Sequence, residues 1–182
     1  KRVMDILISG IGIIITSPIM LIIAIAVKAY DRGPVFYFQD RLTLGGKPFK
    51  ICKFRSMCVD SEKNGARLAS KHDSRITPVG HVLRNLHLDE LPQLFNVLDG
   101  SLSLVGPRPG LWNQDVLTAE RDKYGVNEYK PGITGWAQIN GRDSISIEQK
   151  SVLDGYGVRH SSLIFDLKCL LGTVTKVGHD DT

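Results

Sequence analysis

Ile6 to Val27 is almost wholly apolar, interrupted only by Ser9, Gly10, Gly12, Thr16, Ser17 and Pro18. A run of this kind has to be kept from water, in a core or in lipid. As a straight helix at about 1.5 Å per residue it is roughly 33 Å long, and a hydrocarbon layer is about 30 Å thick. A cleaved leader fits badly: the apolar part is too long, and Lys28, Asp31 and Arg32 stand where small residues would be needed. Nothing comparable occurs in the rest of the chain. Length alone predicts a spanning helix. Two features predict something else. Lys1 and Arg2 precede the run and Lys28 and Arg32 follow it, whereas a spanning helix concentrates its cations on one side. Pro18 lies near the middle, where it removes a helix hydrogen bond and crowds the preceding turn. The resulting arms, residues 6–17 and 18–27, are about 18 and 15 Å long, so neither crosses alone and together they can dip in and return. The carbonyl freed near residue 14 needs a donor, and Ser17 is a candidate.

The formal net charge is +4 and the isoelectric point about 9.0. That suits anionic partners such as phosphates or an acidic membrane surface without choosing among them. The cations are scattered among apolar residues and match no nucleic-acid module, so no nucleic-acid partner is expected. Cys52, Cys58 and Cys169 form neither a zinc pattern nor a disulfide framework, consistent with a reducing, cytosol-facing compartment.

Beyond the apolar run, Pro34 to Met57 reads as a β-hairpin turning at Gly45-Gly46, with Phe49, Ile51 and Phe54 in the second strand. Val59 to Pro78 reads as a surface loop or short helix. Val79 to Leu98 has helical spacing, broken so that a new helix starts near Leu91 with Pro92 in its first turn. A loop from Gly100 to Gly110, a charged helix from Asn113 to Tyr124 and a turn-rich segment from Tyr129 to Asp143 follow. Ile145 to Val177 reads as helical with a gap near Gly155-Tyr156-Gly157. The expected class is mainly α with a small β-hairpin, an α+β arrangement, divided into residues 1–29 as a membrane element and 30–182 as a compact domain.

Four places carry residues suited to chemistry, and each also has an ordinary structural explanation. Asp89-Glu90 stands at the start of a helix, where free N–H groups and the dipole favour anions; it is either a decorated helix end or a carboxylate nucleophile beside a metal or basic partner. Arg84 lies five residues earlier, but the helix break leaves its distance open. Arg108 is held between Pro107 and Pro109, which stiffens its setting and suits bidentate phosphate binding; a plain surface arginine in a rigid turn is the alternative. Alternation places Lys53 and Arg55 on one strand face and Phe54 on the other, so the two cations either grip a diphosphate or face solvent. Finally, Pro131-Gly-Ile-Thr-Gly-Trp-Ala-Gln-Ile-Asn-Gly-Arg142 combines turn glycines with Trp136, Gln138, Asn140 and Arg142. That segment is either a recognition loop for a base or sugar or a packed turn around a core Trp.

Taken in order, Ser17-Pro18, Lys53-Phe-Arg-Ser-Met57, Asp89-Glu-Leu-Pro-Gln93, Gly106-Pro-Arg-Pro109 and Pro131-Gly-Ile-Thr-Gly-Trp-Ala-Gln138 resemble the bacterial sugar transferase family, the small monotopic phosphoglycosyl transferases. The resemblance runs from Lys1 to about Lys176. It implies that Asp89 attacks the β-phosphorus of a UDP-sugar, releasing UMP and forming an aspartyl phosphosugar, and that a polyprenyl phosphate, undecaprenyl phosphate, then takes the phosphosugar. It further implies Mg²⁺ held by Asp89 and Glu90, with Glu90 as metal ligand or proton handler. Lys53, Arg55, Arg84 and Arg108 would serve as phosphate partners, and Gln138 and Arg142 would lie at the nucleotide and sugar end. The implied setting is a re-entrant helix with Ser17-Pro18 at its bend, on the cytosolic face of a bacterial inner membrane, in what looks like the family's minimal catalytic unit. The chain departs from the usual pattern at Gly110, where many members have glutamate, at Gly157 after Tyr156, and at Ile164-Phe165 before Asp166. The alternative of another class is a single-span, non-catalytic binding protein.

Overall fold

The computed structural model describes residues 1–61, 73–141 and 144–176. Helix α1 takes up Arg2–Asp31 and ends at Arg32 in the left-handed region. Strands β1 (Phe36–Leu42) and β2 (Pro48–Phe54) form an antiparallel hairpin. Its connection, a 3₁₀ turn at Leu44–Gly46, has Gly45 and Gly46 at positive φ as a tight reversal requires. Helix α2 (Pro78–Asn85) starts well: Pro78 stands at its first position and the Thr77 hydroxyl accepts from the Gly80 N–H at 2.9 Å. A 3₁₀ turn at Leu88–Glu90 leads into α3 (Gln93–Asp99), with Pro92 at its cap, one residue past the expected start near Leu91. The elements β3 (Ser103–Val105), α4 (Asp115–Asp122), a 3₁₀ turn at Val126–Glu128, β4 (Gly132–Thr134), α5 (Trp136–Ile139), α6 (Ile147–Arg159) and α7 (Leu163–Lys176) complete the chain. The mainly helical class with a hairpin stands, with a second small sheet that carries no periodic signal: β3 and β4 run parallel, Ser103 opposite Gly132 and Val105 opposite Thr134. Three-residue strands inside Gly- and Pro-rich loops are too short to show alternation.

The expected gap at Gly155-Tyr156-Gly157 is corrected. Helix α6 runs straight through it, and the break falls at His160–Ser162. These glycines permit close packing. A Cβ on Gly155 would lie 2.7 Å from Tyr124 Cβ, and one on Gly157 would lie 3.1 Å from Trp136 Cβ. Helix α6 is instead secured at its start, where Ser146 and Gln149 bond each other's backbone N–H in a capping box. Most of the predicted loop between Val59 and Pro78 lies outside the described residues.

Two apolar clusters organise the body. One joins Ile51, Val97, Leu102, Leu104, Ile139 and Cys169, and the other joins Met20, Ile23 and Val27 of α1 to Phe54 and Leu83. Helix α1 is therefore docked at both ends. Near its start, Arg2 donates to the carbonyls of Val97 and Leu98, and buried Asp5 accepts from Ser103 Oγ and Leu104 N. Near its end, Arg55 pairs with Asp31. One face stays exposed and apolar, including Leu7, Ile11, Ile14, Ile15 and Ile22. The helix continues past Pro18, and Ser17 Oγ donates to the Ile14 carbonyl at 2.8 Å, as the sequence led us to expect.

Candidate active site

Hairpin register, the helix break before α3 and the β3–α4 loop converge on one acidic pair. In the antiparallel register Tyr37 faces Lys53, Gln39 faces Ile51 and Arg41 faces Phe49, so these side chains share one sheet face. That face meets the 3₁₀ turn carrying Asp89 and Glu90. Lys53 Nζ donates to Glu90 Oε1 at 2.7 Å, and Arg108 Nη2 donates to the same oxygen at 3.1 Å. Arg41, Gln93, Pro109 and Ile133 line the small recess around these groups.

Asp89 is 8 % exposed. Burial raises its pKa above the usual carboxylate value, and the neighbouring Glu90 charge pushes the same way, while Lys53, Arg84 and His87 pull it back. His87, at φ 54°, reverses the chain just before this turn, a backbone setting that is uncommon for a side-chain-bearing residue. The arrangement is a desolvated carboxylate beside a second acid whose charge is matched by two cations. It suits an anionic reactant that itself carries phosphate charge.

The structure brings Asp89, Glu90, Lys53 and Arg108 together and sets Arg84, on the last turn of α2, within electrostatic reach of Asp89. Arg55 is not among them. Strand β2 ends at Phe54, so the alternation that aligned Arg55 with Lys53 stops there. Its guanidinium is buried, pairing with Asp31 and donating to the Pro34 carbonyl at 2.6 Å. Gln138 reaches the neighbourhood from the far side: Nε2 lies 3.4 Å from the Gly106 carbonyl, and its buried Oε1 has no hydrogen-bond partner among the described residues. It lines a small recess with Arg108, Arg121, Ala137 and Lys150. Trp136 packs against Tyr156 and Phe165, and Asn140 Nδ2 bonds the Trp136 carbonyl at 2.8 Å. Arg142 lies outside the described residues.

Sequence reasoning missed Arg41, Gln93, Arg121 and Asp154. The first had a signal: pairing the strands about Gly45-Gly46 puts Arg41 on the Lys53 face. The buried Arg121–Asp154 ion pair, Nη2 to Oδ2 at 2.6 Å, joins α4 to α6 and has no local signature.

Residues 1–180 match the sequence profile of the family described as Bacterial sugar transferase. This chain belongs to the bacterial sugar transferase family. It is 43 % identical over 97 % of its length to the UDP-glucose:undecaprenyl-phosphate glucose-1-phosphate transferase of Klebsiella pneumoniae, covering 39 % of that protein. It is 40 % identical, again over 97 % of its length, to the UDP-N-acetylgalactosamine-undecaprenyl-phosphate N-acetylgalactosaminephosphotransferase of Aeromonas hydrophila, covering 43 % of it. An uncharacterized sugar transferase of Bacillus subtilis is 45 % identical over 97 % of this chain and 86 % of its own length. The chain thus spans about two-fifths of the first two relatives and most of the third.

Proposed function

We propose that this chain transfers a phosphosugar from a UDP-sugar to a polyprenyl phosphate such as undecaprenyl phosphate. The observation that carries the reading is the buried Asp89 beside a Glu90 clamped by Lys53 and Arg108. An Asp89 oxygen attacks the β-phosphorus, the bond from that phosphorus to the α–β bridging oxygen breaks, and UMP leaves. A phosphate oxygen of the lipid then attacks the same phosphorus and the aspartyl bond breaks, which regenerates the carboxylate and gives a polyprenyl diphosphosugar. Burial keeps the carboxylate poorly solvated and hence more reactive. Lys53, Arg84 and Arg108 offset the charge of the diphosphate, and Gln138 Oε1 accepts from a donor on the nucleotide or sugar.

Asp89 and Glu90 are the residues that would hold Mg²⁺. No cluster of three or more His, Cys, Asp or Glu occurs among the described residues, and a carboxylate pair completed by phosphate oxygens and water is the usual setting for this ion. When bound, Mg²⁺ neutralises phosphate charge and steadies the leaving group.

Residues 1–29 are the membrane part of this proposal and 30–182 the catalytic part. The setting is the cytosolic face of a bacterial inner membrane, with α1 re-entrant. The two-ended docking of α1 supports this, because a helix bonded to one body through both Arg2 and Asp31 has neither end free to reach the far side. The same fact weighs against the single-span binding protein.

The deciding experiment supplies purified protein with a panel of UDP-sugars and no lipid. Intact mass should rise by one phosphosugar with matching UMP release, and Asp89→Asn, similar in shape but a poor nucleophile, should do neither while keeping its fold. Substantial turnover by the Asn variant refutes the nucleophile assignment.

A further inference from the structure

Gly106 to Gly110, the segment that presents Arg108, has five consecutive carbonyls that each accept a hydrogen bond from a different donor. Gln138 Nε2 bonds Gly106 O at 3.4 Å, Gly132 N bonds Pro107 O at 2.9 Å and Arg121 Nη1 bonds Arg108 O at 2.9 Å. Arg41 Nη1 bonds Pro109 O at 3.2 Å, and Leu42 N bonds Gly110 O at 3.1 Å. The donors come from α5, β4, α4 and β1, so four elements converge on a loop that belongs to none of them. Such segments ordinarily leave several carbonyls to water.

We infer that Arg121, seconded by Arg41, is a positioning residue that fixes the loop so that the Arg108 guanidinium stays aimed at the acidic pair. Arg121 is itself immobilised. It is buried, and its Nε and Nη2 bond Asp154 Oδ2 at 3.0 and 2.6 Å, leaving Nη1 directed at the Arg108 carbonyl. A guanidinium can hold a carboxylate with two N–H groups and still offer a third in a fixed direction, which an ammonium cannot. Arg41 acts from the other side of the loop, its Nε and Nη2 held by Gln39 Oε1. Two charged donors from separate elements therefore grip the successive carbonyls of Arg108 and Pro109, one in the peptide unit before the Pro109 ring and one in the unit after it. The loop cannot shift without breaking both.

The catalytic half of this inference rests on the phosphosugar-transfer reading, and the structural half does not, so two measurements separate them. Arg121→Lys keeps a charge for Asp154 but cannot also hold the Arg108 carbonyl. By hydrogen exchange, the amides of Gly132 and Leu42, which bond the neighbouring loop carbonyls, should lose protection in this variant. The Cys52 amide, held by Asn96 Oδ1, should not. Unchanged exchange at Gly132 and Leu42 overturns the inference whether or not the protein releases UMP. With UMP release as readout, Arg121→Lys should lower kcat on the order of tenfold to a hundredfold, the scale of a small misplacement of a reacting group, with KM for the UDP-sugar little changed. In an Arg108→Lys background the same substitution should cost almost nothing, because its effect passes through Arg108. An equal loss in both backgrounds overturns the positioning role and leaves the proposed reaction standing. If Arg121→Lys does not fold, Arg41→Gln goes through the same exchange measurement and the same cycle. Absence of UMP release by the wild type refutes the reaction, and the exchange result still decides the loop.

Discussion

Replacing Lys53 by Met tests whether the cation at Glu90 serves the reaction or merely the fold. The Nζ–Oε1 separation is 2.7 Å and the two side chains are 16 % and 14 % exposed. At an effective dielectric of about 20, a pair at 2.7 Å attracts with about 6 kcal/mol before desolvation is subtracted. Breaking a buried pair outright costs about 3–5 kcal/mol when the remaining charge has no partner. Glu90 keeps Arg108 at 3.1 Å, and methionine retains most of the apolar stem, so the expected loss of stability is much smaller, about 1–2 kcal/mol. For a chain of this size that corresponds to a fall in Tm of roughly 3–6 °C. The transition state adds charge at the phosphoryl oxygens while Lys53 is missing, so kcat should fall roughly 10²- to 10³-fold, as when one preorganised donor is removed from such a site. A pH effect should accompany the loss. Burial already raises the Asp89 pKa and the Lys53 charge lowers it; without Lys53 it rises further, and because the nucleophile must be ionised, the acid limb of the kcat profile should move to higher pH. Thermal unfolding and UMP release across pH measure both quantities. A Tm fall of the expected size with kcat within a few-fold of wild type, and an unmoved acid limb, would show that Lys53 only holds the hairpin to the 3₁₀ turn.

Three further outcomes are expected. Arg108→Lys should lose most activity, since lysine cannot reproduce the guanidinium fork; near-wild-type turnover would reduce the role of Arg108 to simple charge. Single cysteines placed at each end of α1, in a cysteine-free background, should both resist a membrane-impermeant thiol reagent added outside intact cells, and outside labelling of the N-terminal one would mean that α1 spans. Burial, aided by the charge of Asp166, pushes the Cys169 thiol up to about 11 from 9.0, so in the native protein at mild pH exposed Cys58 should be alkylated and Cys169 spared. The fold favours the protonated Cys169 thiol, so that contribution is intact below pH 9.0 and is lost as pH rises towards about 11; equal native labelling of the two thiols would contradict its burial.

The sequence by itself determined the features whose causes are local. Ile6 to Val27 is helical because it is long and apolar, and the carbonyl freed by Pro18 finds Ser17 because a donor one turn away is always within reach. The hairpin follows from alternation on either side of two glycines, and the helix break before α3 follows from a proline that cannot sit mid-helix; Asp89 and Glu90, expected at the start of that helix, stand instead in a 3₁₀ turn just ahead of it. Lys53 was legible because strand alternation carries to the last paired residue, Phe54. Arg55 was not, because the strand stops there and its fate depends on Asp31, a residue 24 positions away. The same limit hid the parallel pairing of Ser103 with Gly132 and the ion pair that joins Arg121 to Asp154. It also turned Gly155 and Gly157 from an expected helix break into contact surfaces for Tyr124 and Trp136. In each case the deciding interaction joins residues distant in the chain, and side-chain period and turn chemistry describe only a residue's near neighbours. Which charges meet at Glu90, and which are spent holding α1 and the Arg108 loop, is therefore settled only when the chain closes on itself.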